Sequence, residues 1–221
     1  MSISIAHPFS SSYSAPAGAQ ITSREDLRRQ LRLQRRALTL SQQQAAAAHI
    51  ARSISRTRLL RAGAHVGVYL AQGREADLSV AIRRAHAKGC HLYVPCVTHM
   101  RHGRMEFVEF FPGTKLRKNI YGILEPVASH TARISVRQLD LILLPLVAVD
   151  SRGWRLGSGA GFYDRRLSHL RDPRLWRRPK LIGIGYEFQR VPRLEPSRWD
   201  VPVEGLITER GYHALRPWRR C

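Results

Sequence analysis

The chain has 221 residues, 43% of them hydrophobic, which is enough for one sizeable core and too apolar for a chain disordered throughout. Its formal net charge of +21 raises the question of a polyanionic partner. The excess is arginine spread along the chain, with Lys88, Lys115, Lys118 and Lys180 the only lysines; such enrichment follows codon bias and mostly gives solvated surface, so nucleic acid is not an expected partner.

Residues 1–22, rich in Ser, Ala and Pro without a basic start or an apolar stretch, read as an extension rather than a leader, and residues 216–221 as a tail. Residues 23–215 between them are expected to form a single domain. Ser23 with Asp26 opens a basic amphipathic helix, in which Leu27, Leu31 and Leu38 alternate with Arg28, Arg29, Arg32, Arg35 and Arg36. Ser41 with Gln44 repeats the signal for an alanine-rich second helix over 42–60, giving an N-terminal helical hairpin.

Alternation of Val66, Val68 and Leu70 predicts a first strand, which runs into a loop carrying Glu75 and Asp77. Ligands of open α/β sheets bind at such strand ends. Helical spacing over 78–88, Gly89 as terminator and a strand over 90–97 complete one βαβ unit. Residues 105–111 alternate as another strand and 113–120 form a basic loop. Cys90, Cys96 and Cys221 suit neither a disulfide framework nor a zinc site and point to a reducing, cytoplasmic setting. No run approaches the length of a membrane span.

The unbroken apolar run from Leu139 to Asp150 predicts one strand covered on both faces. It stops at a turn that opens into Gly157, Gly159 and Gly161, where backbone N–H groups can approach an anion, with Arg155 as a planar donor and a helix over 162–170 to follow. Glycine clusters more often mark a tight turn, and this one lacks both the Lys-Ser/Thr ending of a P-loop and the dinucleotide spacing. A loop over 171–180, a short strand over 181–186 whose glycines imply close packing, and a last strand over 205–209 complete the chain. The alternation predicts an α/β class fold of three α/β/α layers with a largely parallel sheet. Trp154, Trp176, Trp199 and Trp218 are assigned packing alone.

Several separated pieces then agree. Arg155-Leu156-Gly157, Gly159, Gly161-Phe162-Tyr163-Asp164-Arg165, after Leu144 to Asp150 and Gly153, resembles the signature of the 5-formyltetrahydrofolate cyclo-ligase family. Arg24 to Arg28 resembles its N-terminal Lys-x-x-Leu-Arg, Glu75-Ala76-Asp77 its acidic loop, and Gly122 to Pro126 its Gly-Ile-x-Glu-Pro segment. Residues 183–189 and 199–209 complete a match in one order along the chain.

The resemblance implies ATP-dependent conversion of 5-formyltetrahydrofolate, with or without a polyglutamate tail, to 5,10-methenyltetrahydrofolate, releasing ADP and phosphate and requiring Mg²⁺. Phosphorylation turns the formamide oxygen into a leaving group, so catalysis is positioning and charge neutralisation. By resemblance, Arg155 and Tyr163 are catalytic, and ATP is held by Arg24, Arg28, Arg155, Gly157, Ser158, Gly159, Ala160, Gly161, Phe162 and Tyr163. The folate is held by Leu70, Glu75 and the 158–162 segment, and the metal by Asp164 and Asp200. Arg24 stands where the family has Lys, which keeps the charge and changes the donor geometry. A monomer is expected. The alternatives are a basic nucleic-acid-binding protein and a related α/β enzyme acting on sugar phosphates or acyl-CoA.

Overall fold

The computed structural model describes residues 23–99, 104–120, 122–127, 132–171 and 179–215. The expected extension over 1–22, the tail over 216–221, most of the 171–180 loop, Trp176 and Trp218 lie outside the described residues.

Two helices lead, α1 at Arg24–Ala37 and α2 at Leu40–Arg56. Ser23 caps α1 as expected, its hydroxyl accepting from the Asp26 N–H. The cap of α2 lies two residues earlier than predicted: Thr39 and Gln42 form a reciprocal capping box, which leaves Ser41 inside the first turn. The helix also ends at Arg56 rather than near Leu60. The two helices pack into different clusters. α1 buries Leu27 and Leu31 with Val147, Trp154, Leu156 and Leu194, whereas α2 buries Ala46, Ile50 and Ile54 against the main sheet.

The strands are β1 (His65–Gly67), β2 (His91–His99), β3 (Arg104–Phe110), β4 (Leu116–Lys118), β5 (Leu124–Pro126), β6 (Arg133–Ile134), β7 (Leu141–Pro145), β8 (Ala148–Val149), β9 (Arg155–Leu156), β10 (Lys180–Ile184), β11 (Gly205–Thr208) and β12 (Gly211–Ala214). Helix α3 (Ser79–Ala87) joins β1 to β2, and α4 (Phe162–Leu167) follows the glycine loop. Eight strands form one sheet in the order β12-β11-β10-β7-β1-β2-β3-β6, in which the five from β11 to β2 are parallel, β12 and β3 run against them, and the edge strand β6 pairs antiparallel with β3. Helices α2 and α3 cover one face; α4 and the 3₁₀ turn at Val136–Gln138 cover the other. The largely parallel three-layer α/β expectation holds.

Two details depart from the sequence reading. The apolar run over 139–150 is not one strand: β7 ends at Pro145, and Ala148–Val149 leaves the sheet to pair antiparallel with Arg155–Leu156 in a small hairpin. Both pieces are buried, so hydropathy alone could not place the break. The predicted basic loop over 113–120 contains β4, which pairs with β5. Close packing at the 181–186 glycines is borne out, since a Cβ on Gly183 would lie 2.6 Å from Leu146 Cδ2.

Candidate active site

β1 and β7 are neighbours in the sheet but far apart in the chain, and the connections leave them in opposite directions, so their carboxyl ends flank a crevice. A cavity of about 160 Å³ opens there. Leu70, Pro95, Pro145, Tyr69, Glu75 and Glu125 line it, together with Gly157, Phe162, Tyr163 and Asp164. The structure thus gathers the strand-end loop with Glu75 and the glycine loop, which lie some eighty residues apart in sequence, around one space.

The glycine loop is shaped by backbone that only glycine adopts easily. Gly159 has φ 114° and Gly161 has φ 66°, and Gly161 is the N-cap of α4. That helix is a single short stretch, Phe162–Leu167, continued by a 3₁₀ turn at Ser168–Arg171, shorter than the expected 162–170 helix. Gly159, Ser158 and Ala160 are exposed at the rim, and Gly161 and Phe162 are half-buried.

Arg155 is 3% exposed, a rare degree of burial for a guanidinium. One Nη donates to Asp164 Oδ1 at 2.6 Å, and among the described residues its Nε is buried with no partner. Burial pushes the Asp164 carboxyl up against the pull of Arg155, and the charge of Asp200 adds to the rise. Arg24 reaches from α1 to Asp200 Oδ2 with both Nη atoms at 3.0 Å, and also to the Ser197 hydroxyl and the Glu195 carbonyl. Arg28 donates from Nε to the Gly157 carbonyl at 3.0 Å. Two arginine and aspartate pairs, Arg155 with Asp164 and Arg24 with Asp200, therefore stand side by side at one end of the cavity.

At the other end, burial raises the Glu75 carboxyl, while the N–H of Gln72 and the charge of Arg35 draw it back. Burial and the nearby Glu75 push the Tyr163 phenol well above its ordinary value, so its hydroxyl stays protonated. Tyr69 is held in the same way and donates to the Ala76 carbonyl at 2.5 Å.

A divalent ion fits the aspartates. All three hydrogen bonds that the Arg24 Nη atoms and the Ser197 N–H donate to Asp200 go to Oδ2, not to Oδ1. Among the described residues no group of three His, Cys, Asp or Glu side chains is arranged to hold a metal. Two carboxylates completed by phosphate oxygens and water are a ligand set that suits a hard cation.

Of the expected site residues, Leu70, Glu75, Arg155, Gly157, Ser158, Gly161, Phe162, Tyr163 and Asp164 line the cavity. Arg24, Arg28, Gly159, Ala160 and Asp200 are not among the residues that line it. Sequence reasoning gave no role to Arg32, Arg35 or Glu125, which also line it. Arg32 could have been found from its position one and two turns beyond Arg28 and Arg24 on the same helix face. Glu125 is buried, where it accepts from the Val97 N–H and from Asn119 Nδ2; nothing in the spacing separates that fixed carboxylate from a surface charge. Trp199, expected to pack, is 55% exposed beneath the Arg198 guanidinium, 4.3 Å from its ring centre.

The chain is similar to proteins with the same arrangement of sequence. The Haemophilus influenzae 5-formyltetrahydrofolate cyclo-ligase is 29% identical over 186 residues, 83% of this chain and 96% of that protein. The Escherichia coli K12 protein of the same name is 31% identical over 180 residues, 80% of this chain and 96% of its own length. The solved 5,10-methenyltetrahydrofolate synthetase of Aquifex aeolicus superposes with a TM-score of 0.72 at 26% identity, covering 90% of this chain and 95% of that one. A sequence model of the 5-formyltetrahydrofolate cyclo-ligase family matches residues 20–209, nearly the whole described domain, and the chain belongs to that family.

Proposed function

We infer that this protein catalyses the ATP-dependent conversion of 5-formyltetrahydrofolate to 5,10-methenyltetrahydrofolate, releasing ADP and phosphate. The observation that carries the reading is that the glycine loop, the buried Arg155 and Glu75 face one cavity, in a chain whose family is established. A binding protein for nucleic acid would need none of that convergence.

In this reading Glu75 accepts hydrogen bonds from the pterin N–H groups, Arg35 helping to keep it ionised, and Leu70 and Phe162 supply apolar wall. Arg155 turns its unpartnered Nε and its Nη donors to the phosphoryl group, while Arg24 and Arg28 close on the phosphates from α1. Tyr163, kept neutral, donates a hydrogen bond rather than abstracting a proton. Asp164 and Asp200 hold Mg²⁺, which neutralises phosphate charge when bound. Arg24 pairs with Asp200 and Arg155 with Asp164, so the carboxylates that would hold Mg²⁺ stand beside the arginines that would bind the phosphates.

Arg32 and Arg35 on the cavity wall supply cations that support acceptance of the polyglutamylated substrate. The protein is proposed to act as a monomer. The free thiols of Cys90 and Cys96 support a reducing, cytoplasmic compartment. None of the described helices is long and apolar enough to cross a membrane.

The test is direct. Purified protein given ATP, Mg²⁺ and 5-formyltetrahydrofolate is expected to accumulate methenyltetrahydrofolate absorbance in the near ultraviolet with matching ADP release. Folded protein that yields neither would end the ligase reading.

A further inference from the structure

Three carbonyls of the glycine loop are gripped by arginines. Arg28 Nε donates to the Gly157 carbonyl at 3.0 Å, Arg32 to that of Ser158 at 2.7 Å, and Arg165 to that of Ala160 at 2.7 Å. In a trans peptide the carbonyl and the following N–H point in opposite directions. Holding these three carbonyls therefore fixes the N–H groups of Ser158, Gly159 and Gly161 and turns each away from the arginine that holds its peptide. Among the described residues none of those three N–H groups donates to a protein acceptor.

Among the described residues, side-chain packing contributes little to holding the loop in that shape. Gly159 has no heavy atom within 4 Å of where a Cβ would stand, and residues 158–160 are exposed, so side-chain packing does not fix them. Glycine-rich backbone loses much entropy when ordered, and a loop free to rotate would turn its carbonyls toward an incoming phosphate as readily as its N–H groups. The grips come from both sides. Arg32 stands on α1, which is anchored by the buried Leu27 and Leu31. Arg165 stands on α4 and folds back over its own helix start, its guanidinium 5.5 Å from the Phe162 ring centre and 3.1 Å from the site of a Cβ on Gly161.

We propose that Arg32 and Arg165 are positioning residues for phosphate recognition: by holding the Ser158 and Ala160 carbonyls they preset the backbone N–H groups that receive the phosphates of ATP. The proposal rests on the reading of the glycine loop as the ATP site. Arg28, which matches a family position assigned to ATP, grips the Gly157 carbonyl in the same way and so carries both duties.

The experiment compares wild-type protein with Arg32→Met, Arg165→Met, the double variant and the two Arg→Lys variants. Steady-state turnover, calorimetric binding of ADP with Mg²⁺, and amide hydrogen exchange of the loop are measured on each. The double variant is expected to raise KM for ATP and weaken ADP binding by roughly ten- to a hundredfold, as loss of two charge-assisted hydrogen bonds implies. KM for the monoglutamyl folate should rise several-fold less than KM for ATP in the same protein, because Glu75 and its loop are untouched. Exchange should quicken at residues 158–161 and stay slow in the sheet, and lysine should restore part of the affinity. ADP binding unchanged in the double variant, or a rise in both KM values together with faster exchange through the core, would overturn the proposal. If the double variant does not fold, the single Met variants decide by the same two ratios. Wild-type protein that binds ADP yet never converts the folate would count against the proposed function and leave this comparison intact.

Discussion

In the proposed function the phosphate end depends on Arg155, a guanidinium 3% exposed and paired to a carboxylate at 2.6 Å. Arg155→Ala removes the donor and leaves Asp164 half-buried without its cation. ATP-dependent turnover is expected to fall by about a hundredfold or more, as for loss of one preorganised donor, while Arg52→Ala on the exposed face of α2 stays within a factor of about two. Initial rates over an ATP series check this; equal losses in the two variants would remove Arg155 from the phosphate site. Gly161 shows a different dependence, on backbone rather than charge. At φ 66° any L-residue is strained, and a Cβ would lie 3.1 Å from an Arg165 Nη. Gly161→Ala is expected to cost about 1–2 kcal/mol in urea unfolding and to weaken ATP use more than folate binding. The arginine and glycine motif was legible from sequence; the partner of Arg155 was not, because Asp164 comes nine residues later, beyond the loop that turns it back.

At the scale of elements, α1 is the piece that the sequence placed correctly and explained least. Its cap, its apolar stripe and its arginines were all readable, but periodicity says only that Leu27 and Leu31 are buried, not against what. They pack on the β8–β9 hairpin and the 191–194 segment, and this is what brings Arg24 to Asp200 and Arg28 to Gly157. Leu31 is 1% exposed, so Leu31→Ala is expected to cost about 2–4 kcal/mol, measured by denaturant unfolding. Because the same contacts hold the arginines over the loop, KM for ATP should rise in the protein that remains folded. Unchanged ATP affinity would mean that α1 does not set the arginine positions. The hairpin itself went unseen in an apolar run, since β7 and β8 have the same buried composition and only the departure at Pro145 and Leu146 distinguishes a sheet strand from a hairpin arm.

For the whole molecule, pH stability is tied to a buried network far along the chain from the glycine loop. Burial opposes the charge of Glu187, but hydrogen bonds from His213, Thr208 and Arg190 together outweigh it and hold the carboxyl down at about 2. A depressed carboxyl contributes stability that is present above its ordinary value of 4.5 and is lost as pH falls toward 2. Glu209, raised by burial, acts in the opposite sense and regains stability on protonation. Glu187→Gln is therefore expected to flatten the decline of the unfolding midpoint between about pH 4.5 and pH 2.5. Parallel wild-type and variant curves across that range would show that the network does not govern acid stability.

The sequence by itself determined the class of fold, the two leading helices and the main parallel strands, the glycine loop and the family, because each is written in local spacing, hydropathy period or a contiguous signature. The tertiary structure alone decided which carboxylate faces which arginine, that Arg32, Arg35 and Glu125 belong to the cavity, and that an apolar run divides between sheet and hairpin. Those are contacts between residues tens of positions apart, and their partners are chosen by the twist and neighbour order of the sheet, which no local pattern encodes.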